Sequence, residues 1–177
     1  MSVTSQVMAQ AWGQLDADGR APLAELFNSY GELLHALGSN ELARITESTS
    51  TQQFSAQVES LEEASRVVNG PTPAQLAQSR ADAPSWGVVL GAWNAREPRV
   101  GAALQALERA YARVRAVPGV VSATLDDAGL RAWAWERAGR EQGTGPGAGA
   151  ARPRRGRGRE VFVLALLAFV ALGQRRG

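Results

Sequence analysis

The side chains that most often carry chemistry are scarce in this sequence of 177 residues. It contains no cysteine, which excludes disulfides, thiolate zinc sites and cysteine nucleophiles. His35 is the only histidine, and because Leu33, Leu34 and Leu37 surround it, we interpret it as a residue on the flank of a helix. No glycine-rich phosphate-binding loop precedes a helix in a β–α context. These observations predict no catalytic site.

Acidic residues cluster at three places, and each cluster has a simpler explanation than metal binding or acid–base catalysis. Asp16 and Asp18 precede a glycine as in a calcium loop, but the twelfth position of that loop would be Phe27, where a glutamate belongs. The pairs Glu62–Glu63 and Asp126–Asp127 are explained by a solvated helix face and a helix cap. We therefore expect no enzyme, no metal site and no cofactor.

Charge is divided unevenly between the body of the chain and its C-terminal segment. All 19 basic residues are arginine, and residues 1–150 contain 12 of them against 16 Asp and Glu, a net charge of −4. Residues 151–177 contain 7 arginines against Glu160 alone, a net charge of +6. A mildly acidic body therefore precedes a strongly basic segment.

Residues 161–173 form an uncharged apolar run of 13 residues. As a helix it would be about 20 Å long against a hydrocarbon core of roughly 30 Å, a length that taken alone favours a buried helix. We predict a C-terminal membrane anchor instead, because the run has no polar face and is flanked by arginines whose long stems can snorkel. The anchor side chains would be Val161, Phe162, Leu164, Leu166, Leu167, Phe169, Val170 and Leu172, and the flanking basic residues Arg157, Arg159, Arg175 and Arg176.

Residues 139–160 are dominated by Gly, Ala, Pro and Arg, a composition that predicts a flexible linker. The arginine–glycine run could instead bind RNA, but it lacks interleaved aromatic residues for base stacking, so we expect no nucleic-acid partner. The N-terminus lacks the build of a signal peptide, which places the body in the cytosol. A short anchor with arginines on both sides resembles those of tail-anchored proteins of the mitochondrial outer membrane.

Apolar residues recur at helical spacing through residues 1–138, which predicts a single all-α domain. Gly19 is expected to end a first helix, and Gly38 a second that begins near Pro22. Ser39 is expected to cap a short third helix that carries Leu42 and Ile45. Further helices are predicted after the capping box Ser50–Gln53, after Thr72, after Ser85, over residues 99–117 and after Asp126 or Asp127.

The segment from Trp86 to Trp93 has no polar face for eight residues, so we predict a central helix buried on all sides. Gly87 and Gly91 share one face of it, with Val88 beside them. Glycine inside a helix is unfavourable by roughly 1 kcal/mol relative to alanine, so some contact should require it. Either another helix packs closely here inside the core, or a partner helix docks across this face.

Four segments resemble motifs of the Bcl-2 family of apoptosis regulators, in the order that the family has them. Residues 85–88, Ser-Trp-Gly-Val, look like the Asn-Trp-Gly-Arg signature that opens the family's central helix, and residues 54–61 resemble the groove helix before it. Residues 128–133 are similar to the second homology motif, and residues 27–32 to the third. The resemblance covers most of residues 5–137 and the apolar tail, and it is closest to the poxviral members.

The resemblance implies a Bcl-2-like helical bundle that inhibits apoptosis by binding the amphipathic death-motif helix of pro-apoptotic relatives. The implied groove has Leu34, Leu37, Leu42 and Ile45 on one wall, Val58 and Leu61 on the other, and Gly87, Val88 and Gly91 on the floor. The family's arginine, which pairs with an aspartate of the death helix, is replaced here by Val88. Arg80 is the candidate for that pairing.

Two other functions remain open at this point. A tail-anchored helical adaptor of the same fold with a closed groove would modulate host signalling without binding death helices. A pore-forming, pro-death member would insert its central hairpin into the membrane, but only eight fully apolar residues precede Asn94, Arg96 and Glu97. Of the three, we expect the death-helix inhibitor, facing the cytosol from the mitochondrial outer membrane.

Overall fold

The computed structural model describes residues 2–117 and 125–141. The secondary structure of these residues is entirely helical, which confirms the all-α prediction, and no strand occurs among them. The elements in chain order are α1 Val3–Gln14, α2 Ala17–Ala36, α3 Thr51–Val68, a 3₁₀ helix Pro73–Ala77, α4 Trp86–Asn94, α5 Pro98–Ala116 and α6 Ala128–Glu141.

Several helix ends lie where the sequence predicts them, because the side chains there satisfy free backbone groups. Ser50 and Gln53 form the predicted capping box of α3, and the Ser85 hydroxyl accepts from the Val88 amide at the start of α4. Gly38 follows α2 with φ at 112°, a conformation that only glycine adopts readily. The short helix after Thr72 is also confirmed, as a 3₁₀ helix that begins at Pro73.

The predicted third helix after Ser39 is wrong, since residues 38–50 are not helical. The Ser39 hydroxyl accepts from the Glu41 amide two residues on, which is a turn contact that competes with helix formation. Gly19 also differs from its predicted role. It lies in the first turn of α2, where its amide donates to the Asp16 cap at 2.9 Å.

The core lies between α2 and α5, which pack against each other along their lengths, with α1 and α3 on one side and α4 and α6 on the other. Trp12 of α1 stacks on Phe54 of α3 at a centroid distance of 4.3 Å, and Phe27 of α2 meets the same ring edge-on. The Tyr30 hydroxyl donates to the Pro71 carbonyl at 2.6 Å, and burial raises the pKa of this phenol.

The prediction that the Trp86–Trp93 helix is buried on every side is wrong. Only Val89 and Trp93 of α4 are buried, whereas ten of the twenty residues of α2 are. Although α4 is apolar on all faces, about half of it is exposed to solvent. Among the described helices it packs mainly on α5 and α6, and its remaining side has no helix against it. Of the described helices, α2 has the largest number of buried residues.

Helix α6 continues to Glu141, past the predicted end of the domain at residue 138. The predicted anchor over residues 161–173 and most of the predicted linker lie outside the described residues. Among the helices that are described, none is long and apolar enough to cross a membrane.

Candidate peptide-binding surfaces

Helix α4 is held on α6 by three hydrogen bonds that fix its register. The Trp86 indole donates to the Asp127 carboxylate at 2.8 Å, and the Trp93 indole donates to the Ala134 carbonyl at 2.9 Å. Arg96, just after α4, donates to the Ala138 carbonyl at 2.8 Å. Because the sequence offset is 41 or 42 residues in each pair, the two helices run parallel, side by side.

The carboxylate of Asp127 is the electrostatic anchor of this arrangement. Its side chain is nearly buried and accepts from Trp86, from the Arg131 guanidinium at 3.2 Å and from the Arg115 guanidinium at 3.0 Å. A buried charge that is paired and hydrogen-bonded in this way fixes the orientation of its partners. Tyr111 is buried nearby, and its burial, with the charge of Asp127, raises the pKa of its phenol.

The outer side of α4 is an open face formed by Gly87, Val88 and Gly91. All three residues are exposed, and Val88 has 47 % of its surface in solvent. A Cβ atom placed on Gly91 meets no described atom within 4 Å beyond its own helix, and one placed on Gly87 meets only the Ser85 hydroxyl, at 3.9 Å. Packing within the described chain therefore does not require glycine at either position.

Trp135 of α6 is another exposed apolar side chain, and the register of the two helices puts it level with the end of α4. Sequence reasoning placed it on the last helix but not on a surface. The spacing could have predicted that one tryptophan is exposed, because Trp133 and Trp135 are two residues apart on a helix and cannot share a face. Trp133 is the buried one.

The residues predicted as groove walls meet one another, but at a different place from the predicted floor. Helix α3 packs mainly on α1 and α2, whereas α4 packs on α5 and α6. The walls are consequently part of the α2–α3 core, separate from the open face of α4. Of the predicted wall residues, Leu34, Ile45, Val58 and Leu61 are buried, Leu37 is half-buried and Leu42 is exposed.

Residues 39–49, which we call the strap, cross the cleft between α2 and α3 without forming a helix. The Asn28 side chain of α2 donates to the Ile45 carbonyl and accepts from the Ile45 amide, both at 2.8 Å. The Gln57 side chain of α3 accepts from the Arg44 amide at 2.9 Å and donates to its carbonyl at 3.3 Å. Neither contact was predicted from the sequence, because a single side-chain amide on a helix, such as that of Asn28 or Gln57, creates no repeating pattern.

Arg80, the predicted charge partner, lies in the loop before α4 and already contacts two carboxylates. It bonds Asp82 at 2.7 Å and Glu136 of α6 at 3.0 Å. The hydrogen bond to Asp82 raises the pKa of Arg80, and the same bond lowers the pKa of Asp82. A carboxylate from a partner would have to displace one of these two.

Clusters of metal ligands are absent from the part of the chain that the structure describes. No group of three or more His, Asp or Glu residues there is placed to hold a metal ion. Every buried side-chain nitrogen and oxygen described has a hydrogen-bond partner.

Comparison of the chain with known proteins found no match. No family model matches the chain, no curated protein matches it, and no solved structure matches it. The resemblance to the Bcl-2 family therefore stays a prediction from the motifs.

Proposed function

We propose that this protein inhibits apoptosis by binding the amphipathic death-motif helix of pro-apoptotic Bcl-2 relatives, and that the open face of α4 is the contact surface. The observation that carries the proposal is the surroundings of Gly91, where an added Cβ meets no described neighbour. Two glycines that weaken a helix and support no packing within the described chain fit a surface on which a second helix comes close.

A helix docked on this face would place its apolar positions, spaced i, i+3, i+4 and i+7, against Gly87, Val88 and Gly91. The glycines allow its backbone to approach α4, and Val88 supplies exposed apolar contact area. The charge pairing of the family is absent from this contact, because Val88 stands where the arginine would be. The affinity would rest on apolar burial, unless Arg80 exchanges one of its carboxylate partners.

The test is calorimetric titration of the protein with a panel of synthetic death-motif helices. We expect submicromolar binding of a subset, and a loss of about tenfold or more in affinity when Gly91→Leu blocks the face. Ala21→Leu is the matched control, since Ala21 is exposed near the start of α2, on another helix. Equal affinity of the two variants would exclude α4 as the surface.

The closed α2–α3 cleft favours a second candidate, a tail-anchored adaptor of similar fold that modulates host signalling without capturing death helices. Leu34, Ile45, Val58 and Leu61, predicted to line a groove, are all buried. Absence of binding to every death helix, with circular dichroism showing an intact helical fold, would select this alternative.

The proposed location is the mitochondrial outer membrane, with residues 161–173 as the anchor and the body in the cytosol. Support comes from the apolar run and its flanking arginines. A fluorescent protein fused to residues 150–177 should reach mitochondria. Replacing Leu166 and Leu167 by arginine should release it, and a diffuse signal from the unaltered fusion would exclude the anchor.

A further inference from the structure

The strap is attached to the α2–α3 cleft through very few side chains. Of residues 40–48, only Ile45 is buried, at 2 % exposure, and Ala43 is half-buried, while the other seven are exposed. At the Ala43 position the strap lies directly on α2, since a Cβ placed on Gly31 would be 2.9 Å from the Ala43 nitrogen. One buried anchor and one close backbone contact therefore position this segment.

The remaining contacts are made to the strap's backbone, and they have the form of strand pairing. Asn28 bonds both the N–H and the C=O of Ile45, and Gln57 bonds both groups of the preceding residue, Arg44. Consecutive residues of an extended chain direct their backbone groups to opposite sides, so the two amides hold the strap from α2 and from α3. Such contacts recognise any extended backbone, whatever its side chains.

We propose that the α2–α3 cleft is a peptide-binding site, which the strap fills as an intramolecular ligand and which a partner's extended peptide can take over. The site would select a β-branched aliphatic residue at the position of Ile45 and a small residue two positions earlier, where Ala43 lies on Gly31. The site would bind the other residues of the ligand only through hydrogen bonds to their backbone. This proposal does not depend on the binding of a helix to α4.

The two ends of the strap are held by contacts of their own. Its C-terminal end is fixed separately, because the Trp12 indole donates to the Thr49 carbonyl at 2.9 Å and the Thr49 hydroxyl accepts from the Thr46 amide at 2.9 Å. Its N-terminal end follows the turn at Gly38 and Ser39. Release of residues 40–45 between these two points would break the contacts with Asn28 and Gln57 without breaking those at either end.

The test uses a fluorescent peptide with the sequence of residues 40–48 and the full-length protein. Ile45→Ala weakens the strap, and because a filled site lowers apparent affinity by the fraction of protein that is open, we expect this variant to bind the peptide about tenfold or more tightly than the unaltered protein. The same peptide with Asp in place of its isoleucine should not bind. Asn28→Ala, added to Ile45→Ala, should weaken binding about tenfold, because it removes the amide that pairs with the anchor residue.

Hydrogen exchange of the unaltered protein tests the same proposal without a variant. The Arg44 and Ile45 amides should exchange by local opening, faster than the amides of α2 and α5, and excess peptide should quicken them further by holding the strap displaced. Exchange of these two amides only at the rate of global unfolding would overturn the proposal. So would a folded Ile45→Ala protein that binds no peptide.

Discussion

Two glycines of this protein, Gly31 in α2 and Gly91 in α4, have opposite surroundings. A Cβ on Gly31 would be 2.9 Å from the backbone nitrogen of Ala43, whereas a Cβ on Gly91 would meet no described neighbour within 4 Å. The first glycine is explained by packing within the chain, and the second is not. The difference separates a cleft that is already filled from a face that is open.

The two regions also differ in how their apolar residues are used. In the α2–α3 cleft one strap side chain, Ile45, is buried in the core and the backbone is held by amides. On α4 the buried residues Val89 and Trp93 attach the helix to the bundle, and Val88 on the outer side stays in solvent. Substitutions in the filled α2–α3 cleft should therefore change mainly the free energy of unfolding, whereas substitutions on the open face of α4 should change mainly the affinity for a partner.

The largest effect is expected at Ile45 of the filled cleft. Ile45→Ala should lower the free energy of unfolding by about 2–5 kcal/mol, because it removes a fully buried side chain and leaves a cavity. Leu42→Ala is the control on the same strap, and since Leu42 is 41 % exposed, it should change stability much less. Urea denaturation followed by circular dichroism measures both. Equal effects would contradict the strap's position.

Gly31→Ala should destabilise the protein by about 1–3 kcal/mol, because the added methyl group meets the strap's backbone, which can yield only by moving away from α2. This loss opposes a gain of about 1 kcal/mol that alanine normally brings to a helix. Thermal unfolding measures the net effect. An increase in stability would show that the strap does not contact α2 at this point.

Asn28→Ala should lower the free energy of unfolding by about 1–2 kcal/mol, because it removes two hydrogen bonds and leaves the backbone of a buried residue unpaired. Gln57→Ala removes the equivalent pair at Arg44, which is exposed and can bond to water instead. The second variant should therefore lose less stability in the same urea titration. A larger loss for Gln57→Ala would reverse this ranking of the two amides.

The sequence predicts the helices better than it predicts their surroundings. Ser50–Gln53, Ser85 and Gly38 locate helix ends because caps act over three or four residues. The predicted third helix includes Ile45 because an apolar residue three positions after Leu42 fits the spacing of an apolar helix face. That placement failed because the competing contacts come from Asn28 and Gln57, which are distant in sequence.

The predicted groove shows the same limit. The prediction takes the wall and floor residues from apolar segments alike. The structure places all the floor residues at the surface and most of the wall residues in the core. Hydrophobicity alone could not separate them, because which side of α4 meets solvent depends on the parallel register with α6. That register is set by Asp127 and the indoles of Trp86 and Trp93, which are contacts between residues about 41 positions apart.

The smallest effect, and the one of opposite sign, is expected at the open face. Gly91→Ala should raise the free energy of unfolding by about 1 kcal/mol, because alanine is the better helix former and its methyl group meets no described neighbour. Set beside Gly31→Ala, the same chemical change would stabilise one helix and destabilise the other, as measured by thermal unfolding of both variants.

The second part of this prediction concerns binding. A stabilised Gly91→Ala protein should bind death-motif helices more weakly than the unaltered protein, since the methyl group occupies the space through which a partner helix approaches α4. Gain of stability with loss of affinity is the signature of a residue retained for a partner. If Gly91→Ala instead destabilises the protein, another segment covers this face, and the helix-binding surface must be sought elsewhere on the bundle.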